Sequence, residues 1–277
     1  MKALLGGVSP MLNGSLESFA GRELVLGWSA AERSRIKLSI ENLQTWLNSK
    51  LEVDETLVFG SWTRNTILPR KYDEASDIDI MVVFRGNLTD TDPECCRNRL
   101  RAFVAGKYPR SDVRKDAPAV KLELDYIKYD LVPAVRDAWT GGYYIPQTGM
   151  YSTGWMYTSP RDLDPKLMQL NTFVGGNVVR NVVRLCKYMN KSTGRTSLSS
   201  YELESHVLTS IPLISYGTQK RTYDYFLEVV KGLVRSGIAC DSDTMSNILS
   251  RINLYRHSGD IFRQGVWLKH LLPGIEI

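Results

Sequence analysis

Apolar positions in the first half of the chain switch between two periods, and each switch predicts an element. Ile36, Ile40, Leu43 and Leu47 recur at helical spacing behind Ser29-Ala30-Ala31-Glu32, which has the form of a capping box, so a helix with one apolar face runs toward Lys50. Residues 55–59 read as a short buried strand ending in Gly60-Ser61, and residues 78–84 (IDIMVVF) as a second. Asp92-Pro93-Glu94 opens another helix, with proline in its first turn and Leu100, Phe103 and Val104 inside. Residues 119–134 predict two short strands about a turn near Asp125-Tyr126, a pattern that Pro133 ends.

From residue 141 to 165 glycine, tyrosine, proline and threonine follow one another without period, as in a segment crossing between two units. Helical stretches resume at 177–190, 201–209, 222–236 and 242–255. The expected fold class is α+β: a head at 1–140 that mixes sheet and helices, a crossing segment at 141–165, and a helical half at 166–277.

Composition narrows the class. At 277 residues, 43% hydrophobic and 23% charged, the chain can bury a real core and is neither a disordered protein nor a stapled mini-protein. No run approaches the roughly 18 apolar residues of a membrane span. The opening Met1-Lys2 and the short apolar run after it, broken by Gly6-Gly7, are too short for a signal core, so a cytoplasmic protein without membrane partners is expected. Cys95, Cys96, Cys186 and Cys240 lack metal-ligand spacing, and His206, His257 and His270 are scattered, which argues against structural zinc. The net charge of +5 falls entirely after Thr140, where 15 basic residues face 10 acidic ones. So modest an excess suits a phosphate-bearing substrate better than a duplex.

Asp77-Ile78-Asp79 puts two carboxylates on one face of a strand while Ile78 and Ile80 enter the core. The same spelling occurs at Asp90/Asp92, Asp162/Asp164 and Asp241/Asp243, but the first and last of these precede helices, where capping explains them, and the middle one lies in a Pro-flanked loop. Only Asp77/Asp79 opens an apolar strand. A third acid on a neighbouring strand would complete a site for two Mg²⁺ ions, with Mn²⁺ as the alternative. Asp130 is preferred for that place; Asp125 and Glu123 are its rivals by position. Sixteen residues before Asp77, Gly60-Ser61 closes a strand where the backbone can approach a ligand, and amides at the start of a following helix could hold phosphate oxygens.

With strand, Gly-Ser turn, strand Asp-x-Asp and a later strand aspartate in this order, the chain resembles the DNA polymerase β-like nucleotidyltransferases. Gly60-Ser61 through Thr66, Ser76 to Asp79, and Asp130-Leu-Val-Pro-Ala look like the oligoadenylate synthetase and cyclic GMP-AMP synthase branch, including the bacterial cGAS/DncV-like enzymes. Tyr143-Tyr-Ile-Pro146, Gly154-Trp155, Thr158-Ser-Pro160, Arg184 to Tyr188 and Ser200 to Glu204 are similar to the bacterial members. The resemblance implies a nucleotidyltransferase head packed against the helical half, with the active site in the cleft between them. It implies Asp77, Asp79 and Asp130 as catalytic metal ligands, and Gly60, Ser61, Thr66, Arg184, Lys187, Ser200 and Tyr201 as the nucleotide-binding set. Asn65 stands where many relatives have glycine, and asparagine tolerates the positive φ the turn needs.

The activity implied is the joining of nucleoside triphosphates into a cyclic di- or trinucleotide second messenger for antiviral signalling, with a downstream cyclic-nucleotide receptor as effector. A nucleotidyltransferase that modifies protein or tRNA, and a catalytically silent binding module, are the alternatives. Arg180, Arg184, Lys187 and Lys191 form one basic stripe within an arc of roughly 60°, opposite Val178, Val182, Leu185 and Met189, so the helix would offer cations on one side. A second basic stretch, Arg97, Arg99, Arg101, Lys107, Arg110, Arg114 and Lys115, reads as a solvated surface without interleaved aromatics, and no direct nucleic-acid activator is indicated. Cys95-Cys96 is similar to part of the zinc insertion of animal DNA sensors, but no histidine precedes it, which favours a compact bacterial-type synthase.

Overall fold

The computed structural model describes residues 10–116, 118–147, 154–214 and 221–277; the chain start read for a leader, residues 148–153 of the crossing segment and the side chains of Arg114 and Lys115 lie outside them. The chain divides into two compact units, one of Gly27–Arg70 and Ala75–Asp162, the other of Met1–Leu26, Lys71–Glu74 and Leu163–Ile277. Among the described residues no helix is long and apolar enough to cross a membrane.

The first unit is built on a sheet. Its long helix, Ala30–Lys50 (α2, following Pro10–Ser18, α1, of the other unit), begins where the serine predicts, with the Ser29 hydroxyl accepting the Glu32 N–H at 3.1 Å. Ile36, Ile40, Leu43 and Leu47 are buried along one face, and Gln44 and Asn48 donate hydrogen bonds to Thr56. The strands are Val53–Phe59 (β1), Ile78–Phe84 (β2), Asp112–Asp116 (β3), Ala119–Glu123 (β4), Lys128–Arg136 (β5), Tyr143–Pro146 (β6) and Trp155–Thr158 (β7). Their order is β1-β2-β5-β4-β3, with β6 paired to β5 and β7 to β6. Only β2 and β5 run parallel; the other pairs are antiparallel. A helix at Pro93–Lys107 (α3) is capped by Asp92, which accepts the Cys95 N–H at 2.6 Å, as the spelling of Asp90/Asp92 predicts.

Three expectations need correction. Pro133 does not end its strand: β5 continues to Arg136, because β4 pairs with β5 only at 128–131 and β6 only at 135–136, so the missing N–H falls between two partners. Within residues 141–165, β6 and β7 form an antiparallel pair, with Tyr144 and Tyr157 in edge-to-face contact at 5.6 Å. Their alternation is too short for periodicity to reveal. Asp164 is likewise not in a loop but in the first turn of Leu163–Val174 (α4), where Pro165 is tolerated because that N–H has no helical partner.

The second unit is helical: Pro10–Ser18 (α1), a π-helical turn at Phe19–Glu23, α4, Val178–Thr193 (α5), Ser200–Ile214 (α6), Thr222–Arg235 (α7), Ser242–Ser258 (α8) and Ile261–Leu268 (α9). Helix α5 is its axis, contacted by α4, α6 and α7. The start of the chain is sewn into this unit: Asn13 accepts the Tyr223 N–H at 3.2 Å, and Glu17 accepts the Thr222 hydroxyl at 3.0 Å. The inserted piece 71–74 joins it through Lys71–Glu23 at 2.7 Å and Asp73–Lys191 at 3.1 Å, with Tyr72 in an aromatic cluster with Phe19 and Tyr188.

Candidate active site

Asp79 and Asp130 are register partners across the parallel pair of β2 and β5, so their side chains leave the sheet on one face. Asp77, immediately ahead of β2, joins them. Each of the three part-buried acids offers a carboxylate oxygen within 4.8 Å of the others. Further along the same face the partners Met81 with Val132 and Val83 with Ala134 turn apolar, and Met81, Val83 and Ala134 form a small core under Leu57, Phe59, Tyr143 and Ile145. The acids therefore stand at the rim of a rigid apolar patch, and the opposite face of β2 buries Ile78, Ile80 and Val82 completely. Of the three acids weighed for the third place, Asp130 is the one that clusters with Asp77 and Asp79: Glu123 pairs with Arg70 at 2.7 Å and Lys128 at 3.1 Å, and the Asp125 carbonyl, in the β4–β5 turn, accepts from Arg70.

The turn after β1 closes against this cluster. Gly60 has φ 77, and a Cβ there would overlap Asp79 Oδ2 and stand 2.9 Å from its Cγ; only glycine lets the backbone lie beside the acid. The Gly60 carbonyl accepts the Thr63 hydroxyl at 2.9 Å, and the Ser61 carbonyl accepts the Thr66 and Ile67 N–H groups at 2.9 and 3.2 Å. Asn65 holds φ 58, the left-handed conformation expected of it. The expected helix after Gly60-Ser61 is absent: residues 60–65 form hydrogen-bonded turns only, so no helix dipole acts at this point. Thr66 is completely buried and shapes the turn from inside.

The remaining predicted residues lie in the helical unit. Arg184 and Lys187 are buried, Arg184 donating to Asn181 Oδ1 at 2.7 Å and Lys187 bonding Glu204 at 2.8 Å. The two central cations of the stripe are thus enclosed rather than offered on an open face, because α5 is covered by three neighbours instead of one. Burial, with Arg180 close by, pushes the Arg184 guanidinium down to about 10, still protonated at neutral pH. Ser200 opens α6, half-buried, and Tyr201 follows it, 53% exposed. The second basic stretch is partly neutralised: Arg97 pairs with Glu94, Arg99 with Glu52 at 3.1 Å, and the Lys107 ammonium sits 3.4 Å from the Trp46 ring centroid. Cys95 is exposed and Cys96 buried on α3, where burial raises the Cys96 thiol to about 11.

Sequence reasoning missed Lys121, whose Nζ lies 3.4 Å from Asp130 and 3.7 Å from Asp77. Alternation alone marks it as an outward residue of β4, but which acid it faces depends on strand register. It missed Arg70 as well, which grips the β4–β5 turn through the Leu124 and Asp125 carbonyls at 3.3 Å each.

Three clustered carboxylates on adjacent strands are an oxygen-only donor set, the kind hard divalent cations take. A family model described as the Second Messenger Oligonucleotide or Dinucleotide Synthetase domain (SMODS) matches residues 14–171. No curated protein matches in sequence. Among solved structures, E. coli CdnC, in a structure with ATP, superposes with a TM-score of 0.70 at 12% identity, over 96% of this chain and 99% of that one. The CD-NTase CdnG of Bradyrhizobium diazoefficiens, in complex with GTP, gives 0.64 at 14% over 95% and 96%. The GTP-bound form of Vibrio cholerae DncV gives 0.62 at 9% over 80% and 68%. At these identities the superpositions establish a shared fold.

Proposed function

This chain belongs to the SMODS family of second messenger oligonucleotide or dinucleotide synthetases, which are nucleotidyltransferases, and on that footing we propose that it joins nucleoside triphosphates into a cyclic di- or trinucleotide, or a short oligonucleotide, releasing pyrophosphate. The observation that carries the reading is the meeting of Asp77, Asp79 and Asp130 within 4.8 Å beside a turn whose Gly60 leaves Asp79 the space a Cβ would take. Two Mg²⁺ ions held by these acids would lower the pKa of a ribose hydroxyl and neutralise charge on the leaving pyrophosphate. Asp130, on the central strand, takes up the proton of the attacking hydroxyl. Ser61, in the turn, holds the triphosphate. In the helical unit Ser200 supplies a hydroxyl and Tyr201 an exposed ring on which a base stacks. Rigid placement supplies much of the acceleration, since both nucleotides are held in line for transfer.

The product acts on a cyclic-nucleotide receptor in antiviral signalling. Purified protein with Mg²⁺ and the four labelled NTPs is expected to give pyrophosphate and small phosphatase-resistant products, identified by mass spectrometry, and Asp77→Ala to abolish both. Label appearing only on added protein or RNA would instead establish the macromolecule-modifying alternative, and nucleotide binding without turnover the silent module.

A further inference from the structure

Lys121 takes no part in the nucleotidyl transfer, yet it stands on the strand that borders Asp130. β4 and β5 pair antiparallel with Lys121 opposite Asp130, so both side chains leave the sheet on the face that carries the acids. The ammonium lies 3.4 Å from Asp130 Oδ2 and 3.7 Å from Asp77 Oδ2, bridging two of the three carboxylates. Three negative charges held within 4.8 Å repel one another strongly at the effective dielectric of a protein surface, and a cation between two of them offsets that repulsion. The lysine side chain is 38% exposed, and its long flexible stem leaves the ammonium a route into water.

We propose that Lys121 is a resident counter-ion of the acidic site: its ammonium holds Asp77 and Asp130 together in the metal-free protein and gives way when a divalent cation enters. The inference rests on reading the three acids as metal ligands. It makes Lys121 a positioning residue, one that sets how tightly the site takes up its cations. Every binding event must then displace a charge already in place, so a neutral residue at 121 binds a divalent cation more tightly while leaving the empty site less stable.

A nearby control is built into the fold. Lys128 precedes Asp130 by two residues on β5 and lines the same cavity of about 140 Å³, but it pairs with Glu123 at 3.1 Å. A general effect of positive charge would be shared by both lysines; displacement of a bridging ammonium belongs to Lys121 alone.

The experiment measures Mn²⁺ binding to the full chain by electron paramagnetic resonance of the free ion, and melting temperature in EDTA and in Mn²⁺. Asp77→Ala should lose the site that the unaltered protein shows. Lys121→Met should bind Mn²⁺ roughly tenfold more tightly, whereas Lys121→Arg and Lys128→Met stay within about twofold. The Met variant should also melt lower in EDTA and recover in Mn²⁺, so that the gap between the two conditions widens; Lys121→Gln repeats the measurement should the Met variant be insoluble. Unchanged or weaker Mn²⁺ binding by both neutral variants overturns the proposal, as does equal tightening by Lys128→Met. If the unaltered protein binds no more Mn²⁺ than Asp77→Ala, the metal-site reading itself falls, and the role of Lys121 with it.

Discussion

Gly60 and Asp79 compete for one volume, and the glycine yields it. The expected Cβ overlap involves the end of a side chain rather than backbone, so Gly60→Ala can be accommodated by swinging the Asp79 carboxylate away. Such a shift takes a ligand out of the cluster, while the positive φ of 77 adds strain on the order of 1–2 kcal/mol. Gly60→Ala is therefore expected to lower pyrophosphate release at least roughly tenfold while reducing stability by only about 1–2 kcal/mol, which activity assays and urea unfolding would separate. A fully active alanine variant would show that Asp79 tolerates displacement. At this scale the pair Asp77 and Asp79 was legible in the sequence, because alternation at the start of the strand puts them on one face, whereas Asp130 meets them through the pairing of β2 with β5, which spelling leaves open against Asp125 and Glu123. The residues around them were not: Lys121 and Arg70 act through strand register and a turn carbonyl, and neither leaves a local pattern.

Among the elements, α5 departs furthest from its sequence reading. A basic stripe opposite an apolar one predicts a helix with one open side, yet Lys187 and Glu204 are almost fully enclosed between α5 and α6. Removing one partner leaves the other charge buried alone, so Lys187→Met is expected to cost about 3–5 kcal/mol in urea unfolding. Pairing it with Glu204→Leu should restore most of that loss. The double variant also separates two roles: if it is stable but turns over no nucleotide, the Lys187 charge serves substrate, and if it remains active, the pair serves folding. Elements with caps and long periods were legible from spelling alone: α2 and β2 begin and end close to where Ser29, Lys50 and IDIMVVF place them, and α3 begins at the turn that Asp92 caps. Missed elements are short or lack a cap signal, as with β6, β7, α4 and α9, where tertiary contacts rather than local preference decide the conformation.

For the molecule as a whole, the helical unit is not a continuous piece of chain. Asn13 and Glu17 of α1 bond to Tyr223 and Thr222 of α7, more than two hundred residues later. The sheet unit, by contrast, takes up all of 27–162 except 71–74. A fragment of residues 27–162 is expected to show a cooperative thermal transition by circular dichroism, and one of residues 163–277 to stay partly unfolded until a peptide of residues 10–26 is added. A cooperative transition of the second fragment alone would contradict this. During synthesis the sheet strands can therefore settle while the ribosome is still extending the chain, but α1 must wait, its apolar Leu12 and Leu16 without their eventual cover, until α7 has emerged. Completion of the helical unit is thereby tied to translation of its last third, and a polypeptide cut short before α7 would keep its acidic trio's strands while leaving its beginning exposed to proteases.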